Sequence, residues 1–278
     1  MATIDLNADV GESFGRWSLG DDMAMISAVS SVNVACGFHA GDAGTMYAAC
    51  IAAAGAGTAV GAHPGYRDLS GFGRRALDVE PAELTGEIIY QIGALQSLAL
   101  AAGTRVSYVK PHGALYNAVV HDADQARAVV EAVATTDPTL TLLGLPGSRV
   151  LALARAAGLP VVAEAFVDRG YAADGTLVPR GRPGALVAHP DEAAERAVRM
   201  AVDGLVTAVD GTVVELTAAS LCVHSDTPGA VAIATAVRGA LAAAGVDVRP
   251  FVVPAHPGRG PRAHDAVAPS GVDPHAEH

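Results

Sequence analysis

Aromatic side chains are scarce in this sequence: they make up 4% of its 278 residues, whereas 51% of the residues are hydrophobic. The apolar content is therefore supplied mainly by Ala and Val, which favours helices packed closely on strands and argues against disorder. Long hydrophobic runs are missing too, because charged residues, Gly or Pro interrupt every apolar segment before the roughly 18 residues that a membrane span requires. The mean hydropathy of +0.33 therefore does not indicate a membrane protein.

Basic residues and cysteines are also few. Lys and Arg number 18 against 29 Asp and Glu, and the net charge of −11 argues against nucleic acid or an anionic membrane surface as a partner. The three cysteines, Cys36, Cys50 and Cys222, form no CxxC motif, so no disulfide framework is predicted. The acidic start, MATIDLNADVGE, lacks the basic region and apolar core of a signal peptide. A reduced, cytoplasmic protein is the simplest interpretation.

Short apolar runs of strand length recur along the chain, each bounded by turn residues. They lie at residues 3–9, 32–36, 58–63, 106–110, 140–145, 161–166 and 219–224, and residues 246–253 could form one more. Helical segments fill the gaps, and strands that alternate with helices pair in parallel. Seven or eight such units match a (β/α) barrel in size. A doubly wound open sheet is the alternative, because periodicity does not separate the two.

The helical segments have recognisable ends. Pro81 stands where a first helical residue belongs, and Gly103 ends the same segment. Helix caps are predicted at Asp42, Asp122, Ser148 and either Asp226 or Thr227. Gln125, three residues after Asp122, resembles the second half of a capping box. Residues 1–253 are predicted to form a single barrel domain, and the Pro- and Gly-rich residues 254–278 a flexible tail.

Polar side chains collect where the predicted strands end. In chain order these are Asp9 and Glu12, His39 and Asp42, His63, Tyr66 and Asp68, Lys110 and His112, Glu164, Asp168 and Arg169, and His224 and Asp226. In a parallel barrel all these strand ends emerge on one face, so the side chains converge on one pocket. Taken singly, Asp9 could be a turn residue, His39 a core histidine, and Asp42 a helix cap. Four histidines at four different strand ends favour a shared site instead.

Two cationic features stand out. Lys110 lies at the end of an apolar strand, where a buried ammonium group is costly unless it is paired or functional. Arg74 and Arg75 end a long glycine-dense loop and are placed to meet a carboxylate or phosphate, although Arg75 could simply be solvated.

No metal site is assigned, because no ligand spacing is diagnostic; the alternative set is Asp9, His39, His63 and His112. The sequence contains no P-loop, no GxGxxG after a strand, no GxSxG and no HExxH. The sequence therefore carries none of these nucleotide-binding or hydrolase signatures.

Six motifs closely resemble those of the LamB/YcsF family, whose members form the A subunit of the bacterial ATP-dependent 5-oxoprolinase. They are DLNADVGE (5–12), NVACGFHAGD (33–42), GAHPGYRDLSGFGRR (61–75), VKPHGALYN (109–117), EAFVDRGYAADGTLVPR (164–180) and VHSDTPGA (223–230). The resemblance runs in order from residue 3 to about residue 253. Ser225 is a departure, since Gly is more usual there, and this puts close backbone packing at that point in doubt.

The resemblance implies a TIM-like barrel of seven strands, akin to glycoside hydrolase and deacetylase barrels. It implies that 5-oxo-L-proline, ATP and water give L-glutamate, ADP and phosphate, with the B and C subunits of 5-oxoprolinase as separate partner chains. ATP is then a co-substrate, with divalent metal such as Mg²⁺ possible beside it, and the missing P-loop is compatible with nucleotide binding mainly on the partners. Two other classes stay open: a metal-dependent deacetylase or amidohydrolase acting alone, and a non-catalytic subunit that binds 5-oxoproline.

Roles follow for the converging side chains. The predicted catalytic residues are Asp9, His39, Lys110, His112 and Glu164, and the predicted substrate-binding residues are Asn7, Glu12, His63, Arg74, Asp168, Arg169 and His224. In this hypothesis Lys110 or a histidine polarises the lactam oxygen, while Asp9 or Glu164 handles the nitrogen proton or the attacking water. Arg74 or Arg169 would hold the substrate carboxylate.

Overall fold

Parallel strands close into a barrel in the computed structural model, which describes residues 2–227 and 229–253. The strands are β1 (Ala2–Val10), β2 (Ser31–Ala35), β3 (Ala59–His63), β4 (Val106–Val109), β5 (Thr141–Gly144), β6 (Val161–Phe166), β7 (Leu205–Thr207), β8 (Val213–Glu215), β9 (Ser220–Val223) and β10 (Val246–Val248). Strands β1 to β6 and β9 form the barrel, which closes where β9 pairs in parallel with β1, Asp5 opposite Ser220. The seven-stranded barrel is thus confirmed, and the open doubly wound sheet was wrong.

Helices between the strands cover the barrel. They are α1 (Asp22–Ala28), α2 (Ala43–Ala56), α3 (Pro81–Ala101), α4 (Gly113–Ala118), α5 (Ala123–Thr136), α6 (Arg149–Ala156), α7 (Pro190–Asp203) and α8 (Ala230–Ala243). Their buried apolar side chains join those of the strands in one core. No helix among the described residues is long and apolar enough to cross a bilayer.

Two of the predicted helix caps are confirmed. Asp42 accepts a hydrogen bond from the Thr45 amide at 2.9 Å, and Asp122 caps α5. The capping box was wrong, because the Gln125 side chain bonds Tyr66 and Leu77 rather than reaching back to the cap.

Of the other two caps, the position of Ser148 is confirmed without a side-chain bond, and the cap at Asp226 or Thr227 was wrong. Ser148 occupies the position directly before α6, but among the described residues its hydroxyl has no hydrogen-bond partner. Helix α8 is preceded by Gly229, and neither Asp226 nor Thr227 caps it. Asp226 instead forms an ion pair with Arg74, which is a tertiary contact that helix periodicity does not reveal.

Strand β1 shows how the barrel interior is layered. Ile4, Leu6, Ala8 and Val10 are buried apolar residues, and the polar residues Asp5, Asn7 and Asp9 alternate with them. Because side chains alternate across a strand, the three polar ones share the face turned toward the barrel interior, in successive layers about 7 Å apart. Asp5 meets Ser30, Ser31 and Ser220 in the lowest layer. Asp9 occupies the top layer, nearest the carboxyl ends of the strands.

Two aromatic side chains, Tyr108 and Phe251, pack together toward the amino end of the barrel. The predicted strand 246–253 is shorter than expected: β10 pairs with the start of β1 and ends at Val248. The chain then places the Phe251 ring 5.0 Å from the buried Tyr108 ring. Gly61 makes room for Tyr108, because a Cβ atom there would lie 2.2 Å from the Tyr108 ring. The predicted flexible tail, residues 254–278, lies outside the described residues.

Two segments after β6 have no counterpart among the predicted elements. Residues 167–189 form an excursion held by isolated bridges between Arg169 and Leu186 and between Tyr171 and Leu177. Strands β7 and β8 then form a short antiparallel ribbon before β9. The excursion lies at the carboxyl end of the barrel, where Thr176, Leu177 and Arg180 help to line a cavity.

Candidate active site

A cavity of about 450 Å³ opens at the carboxyl ends of the barrel strands. Seven of the twelve predicted site residues line it: Asp9, His63, Arg74, Lys110, His112, Arg169 and His224. The other five, Asn7, Glu12, His39, Glu164 and Asp168, are buried beside or below them. The predicted convergence on one face is therefore present, but the side chains lie at two depths.

Lys110, the single lysine of the chain, stands at the base of the cavity. Its Nζ atom lies 3.0 Å from Glu164 Oε2 and 3.5 Å from Asp9 Oδ1, and it donates to Asn7 Oδ1 at 3.2 Å. Burial alone would lower the pKa of Lys110, but the charges of Asp9 and Glu164 raise it well above the ordinary lysine value. The residue is therefore a cation at neutral pH, 2% exposed.

Asp9 is the carboxylate that faces both this cation and the cavity. Burial alone would raise the pKa of Asp9, but the charge of Lys110 is the largest opposing effect, and the pKa lies well below the ordinary value. The Asn33 amide also donates to Asp9 Oδ1 at 2.8 Å. Asp9 is consequently ionised and fixed in position, as a general base or an electrostatic stabiliser must be.

A layer of amides and carboxylates supports these two groups from below. Asn7 donates to Ser220 Oγ at 2.7 Å and to Glu164 Oε2 at 3.2 Å, and its Oδ1 accepts from Asn33. Asn7 and Glu164 are fully buried and do not line the cavity. They therefore act on Lys110 rather than on a molecule in the cavity, which differs from the substrate and catalytic roles predicted for them.

Two members of this layer were not predicted from the sequence. Asn33 bridges Asn7 and Asp9, and the buried Tyr108 hydroxyl donates to Asn33 Oδ1 at 2.8 Å. The signal for Asn33 was present, since a polar side chain inside the apolar run VNVAC is costly to bury unless it is hydrogen-bonded. Cys222 also went unassigned; its Sγ lies 3.1 Å from Lys110 Nζ, and burial raises the pKa of this thiol, so it is uncharged there.

Three imidazole rings form a second group. His63 Nε2 lies 3.1 Å from His112 Nδ1 and 3.3 Å from Asp9 Oδ1. The His39 ring stacks on His112, with ring centroids 3.7 Å apart and planes inclined by 4°. His39 is fully buried and does not line the cavity, and among the described residues neither of its ring nitrogens has a hydrogen-bond partner. It lies behind His112 as a packing neighbour, away from the position predicted for a catalyst.

The group of side chains that could hold a metal differs by one residue from the set considered from the sequence: Glu12 replaces His39. Ligand atoms of Asp9, Glu12, His63 and His112 all lie within 4.8 Å of one another. Glu12 also accepts a hydrogen bond from Ser225 Oγ at 3.2 Å. The departure at Ser225 therefore adds a side-chain contact at the edge of the site.

His224 follows β9, the strand beside β1, lines the cavity and is held by Asp168. The Asp168 carboxylate accepts from the His224 backbone amide at 3.0 Å and faces the ring Nδ1 at 3.0 Å. Burial alone would raise the pKa of Asp168, but His224 lowers it below the ordinary value. Asp168 is therefore a buried anion that orients an imidazole and lies outside the cavity.

Arginines line the rim, and the structure separates their roles. Arg74 donates to Asp226 Oδ2 at 2.7 Å, and Arg180 Nη2 lies 3.7 Å from Asp226 Oδ1. Arg169 instead donates to the Ala185 and Val178 carbonyls, so its guanidinium holds the excursion after β6. Arg180 was missed, because its sequence position, 14 residues beyond β6, does not indicate that the chain folds back over the barrel.

Arg75 does not reach the cavity. Its Nε donates to Asp68 Oδ1 at 2.9 Å, and its guanidinium is largely exposed. Of the two adjacent arginines, only Arg74 has the geometry that was predicted for an anion-binding residue.

The sequence matches the model of the LamB/YcsF family over residues 4–255, which is nearly the whole described chain. The chain belongs to the LamB/YcsF family. The resemblance inferred from the six motifs is thus confirmed.

Named relatives agree with this family. The chain is 61% identical to the A subunit of 5-oxoprolinase from Streptomyces avermitilis, with 89% of this chain and 99% of the relative covered. It is 57% identical to the A subunit of 5-oxoprolinase from Mycobacterium marinum, with 90% of this chain and all of the relative covered. Its fold is similar to the crystal structure of the lactam utilization protein from Thermus thermophilus, at 48% identity and a TM-score of 0.85, with 90% of this chain and all of that chain covered.

Proposed function

We propose that this LamB/YcsF chain is the A subunit of a 5-oxoprolinase and takes part in the ATP-dependent cleavage of 5-oxo-L-proline to L-glutamate, together with the partner B and C subunits. The observation that supports this most directly is the buried pair of Lys110 and Asp9 at the base of a cavity rimmed by Arg74 and Arg180. A small lactam acid needs a cation for its amide oxygen, a base, and an arginine for its carboxylate. The names of the relatives point to the same substrate.

The reaction must overcome the stability of an unactivated amide. Transfer of the γ-phosphoryl group of ATP to the lactam oxygen releases ADP and leaves a better leaving group on the ring carbon. A first water then adds to that carbon, and the C–N bond breaks with its electron pair on nitrogen, which takes up a proton. A second water releases phosphate from the resulting acyl phosphate and gives L-glutamate.

The residues of the cavity fit the first steps of this sequence. Lys110, a fixed cation, would polarise the lactam oxygen and increase its negative character before phosphoryl transfer. Asp9, an ionised carboxylate beside it, would accept the nitrogen proton or position the water. Glu164 and Asn7 would act as positioning residues, because they contact Lys110 and do not reach the cavity.

The substrate carboxylate would be held by Arg74 and Arg180. Both line the cavity, and in the structure both face Asp226, which a substrate carboxylate could replace as their partner. Arg169 was a candidate for this role, but its donors are bonded to backbone carbonyls. In this proposal ATP, with Mg²⁺, binds mainly to the partner subunits, in keeping with the absence of a P-loop from this sequence.

Reconstitution with purified B and C subunits tests the proposal. The full mixture should release ADP and glutamate in a manner that depends on 5-oxoproline and on this chain. If the complete mixture releases no glutamate, the assignment is wrong.

Lys110→Met tests the role of the cation. We expect glutamate release to fall by at least about 100-fold, because a preorganised charge at a developing oxyanion contributes on that order. Calorimetry of 5-oxoproline binding to the isolated variant separates catalysis from binding. If Lys110 only binds substrate, turnover falls in proportion to affinity; if it is catalytic, turnover falls more than affinity does. Near wild-type turnover by folded Lys110→Met would exclude the role given to Lys110.

A further inference from the structure

The hydrogen bonds around His63 and His112 fix which ring nitrogen bears a hydrogen. His63 Nδ1 faces the Lys110 carbonyl oxygen at 2.7 Å, and His112 Nε2 faces the Phe72 carbonyl oxygen at 2.8 Å. A carbonyl oxygen only accepts, so each of these nitrogens must be the donor. In a neutral imidazole the other nitrogen then presents a lone pair, and these are His63 Nε2 and His112 Nδ1.

The two lone pairs face each other. His63 Nε2 and His112 Nδ1 are 3.1 Å apart, and both rings are buried. Two acceptors at that distance form no hydrogen bond with each other, so a positive centre is needed between them. The Asp9 carboxylate, 3.3 Å from His63 Nε2, adds a negative charge on the same side.

The spacing of these atoms suits a bound metal ion. Metal bonds of about 2.1 Å in tetrahedral geometry place neighbouring ligand atoms about 3.4 Å apart, close to both measured separations. Metal-binding histidines also donate their other ring N–H to a carbonyl or carboxylate, which is the arrangement seen at both rings here. Glu12 supplies a fourth ligand atom within 4.8 Å of the other three.

We propose that His63, His112, Asp9 and Glu12 form a binding site for one divalent transition-metal ion, of the zinc, cobalt or iron type. Two imidazole nitrogens with two carboxylates favour these ions over Mg²⁺ and Ca²⁺, which prefer oxygen ligands alone. The site would lie at the wall of the cavity, since Asp9, His63 and His112 all line it.

Two cations oppose this site: Arg74, whose charge acts on Glu12, and the Lys110 ammonium, at 3.5 Å from Asp9 Oδ1. Glu164 offsets the lysine charge, because its Oε2 lies 3.0 Å from Lys110 Nζ. Asp9 and Glu12 therefore remain as the two carboxylates available to a cation. His39, which stacks on His112, keeps that ring in plane without supplying a ligand atom.

Metal titration of the full-length chain tests the site without substrate, ATP or partner subunits, so its outcome is independent of the proposed function. Protein stripped with a chelator is titrated with Co²⁺ and with Zn²⁺. Calorimetry and the visible absorption of Co²⁺ give stoichiometry and ligand environment. We expect one tight equivalent, with the absorption of cobalt bound by nitrogen and oxygen ligands in low coordination.

Matched histidine variants locate the binding. His63→Gln should lose the tight equivalent, whereas His189→Gln, at an exposed residue outside the cluster, should retain it and so account for adventitious imidazole binding. If His63→Gln folds poorly, a second measurement on the folded proteins still tests the site. Zn²⁺ should raise the unfolding temperature of the wild type and of His189→Gln.

The proposal fails if the wild type binds no tight equivalent, which would mean that a proton fills the space between the two rings. It also fails if folded His63→Gln binds Co²⁺ as the wild type does. Absence of a Zn²⁺ effect on the unfolding temperature of the wild type would count against it in the same way.

Discussion

Glu164 is expected to hold the charge of Lys110, and Glu164→Gln tests this while nearly preserving the side-chain shape. The substitution removes a carboxylate oxygen that lies 3.0 Å from Lys110 Nζ. At an effective dielectric constant of about 20, two unit charges at that distance attract by about 5.5 kcal/mol. Asp9 remains beside the ammonium, and the new amide oxygen can accept a hydrogen bond. We therefore expect the pKa of Lys110 to fall, but by less than the loss of the whole attraction would cause.

The same change should lower the free energy of unfolding. Removing one partner of a buried ion pair costs about 3–5 kcal/mol when the other charge is left alone, and Asp9 reduces the loss here to about 2–3 kcal/mol. Because the pKa of folded Lys110 is raised, this stabilisation is fully present below the unfolded lysine pKa of about 10.4. It is lost as the pH rises through the higher pKa of the folded chain.

The assay uses the fact that Lys110 is the only lysine. Lysine labelled with ¹³C gives one side-chain signal, whose chemical shift is followed by NMR from neutral to alkaline pH. Glu195→Gln, at an exposed position on α7, is the control and should leave the titration unchanged. An unchanged Lys110 titration in folded Glu164→Gln would refute the reasoning, since the charge would then depend on other groups.

Three further predictions concern other parts of the molecule. Burial raises the pKa of Asp5 to about 6, so its contribution makes the folded chain less stable as the pH rises from about 4 to 6. In denaturant unfolding, Asp5→Asn should therefore gain about 2.4 kcal/mol relative to the wild type between pH 4 and 7.5, and a constant difference would contradict this. Gly61→Ala should destabilise the chain by at least about 2 kcal/mol, because its Cβ would lie 2.2 Å from a buried tyrosine ring of β4. Gly93→Ala, in open space within α3, should instead be neutral or stabilise the chain by up to about 1 kcal/mol, and similar unfolding temperatures for both variants would be inconsistent with the packing described. In the reconstituted system, Arg180→Gln should raise KM for 5-oxoproline about 10- to 100-fold with a smaller effect on kcat, whereas the exposed Arg182→Gln should not, and an unchanged KM for Arg180→Gln would remove Arg180 from the substrate site.

Much of the barrel was predictable because its signals are local. Each apolar run of strand length is bounded by turn residues, and parallel pairing follows from the helices between strands. The β7–β8 ribbon and the excursion over residues 167–189 were not predictable in this way. They are short, partly exposed segments whose positions depend on contacts such as those of Arg169 with the Ala185 and Val178 carbonyls.

The candidate site also combines residues that local sequence signals identify with residues whose roles depend on tertiary contacts. The sequence identified Lys110 because a buried charge is costly wherever the strand lies, and Asn33 could have been found by the same reasoning. It placed His39 and His63 at equivalent strand ends and gave His39 the catalytic role and His63 the substrate-binding role. The structure separates them, because His39 packs behind His112 while His63 meets Asp9.

The sequence by itself determined the alternation of parallel strands and helices and the strand ends at which chemistry is expected, because these are properties of neighbouring positions. Its six motifs identified the family, and the choice of a barrel over an open sheet came from that resemblance. The tertiary structure decided how deep in the barrel each polar side chain lies and which residues it contacts. Asp5, Asn7 and Asp9 alternate identically along β1, yet only Asp9 lines the cavity. The layer of each side chain is set by the register in which β1 pairs with β2 and β9. Strand β9 lies more than 200 residues from β1 along the chain.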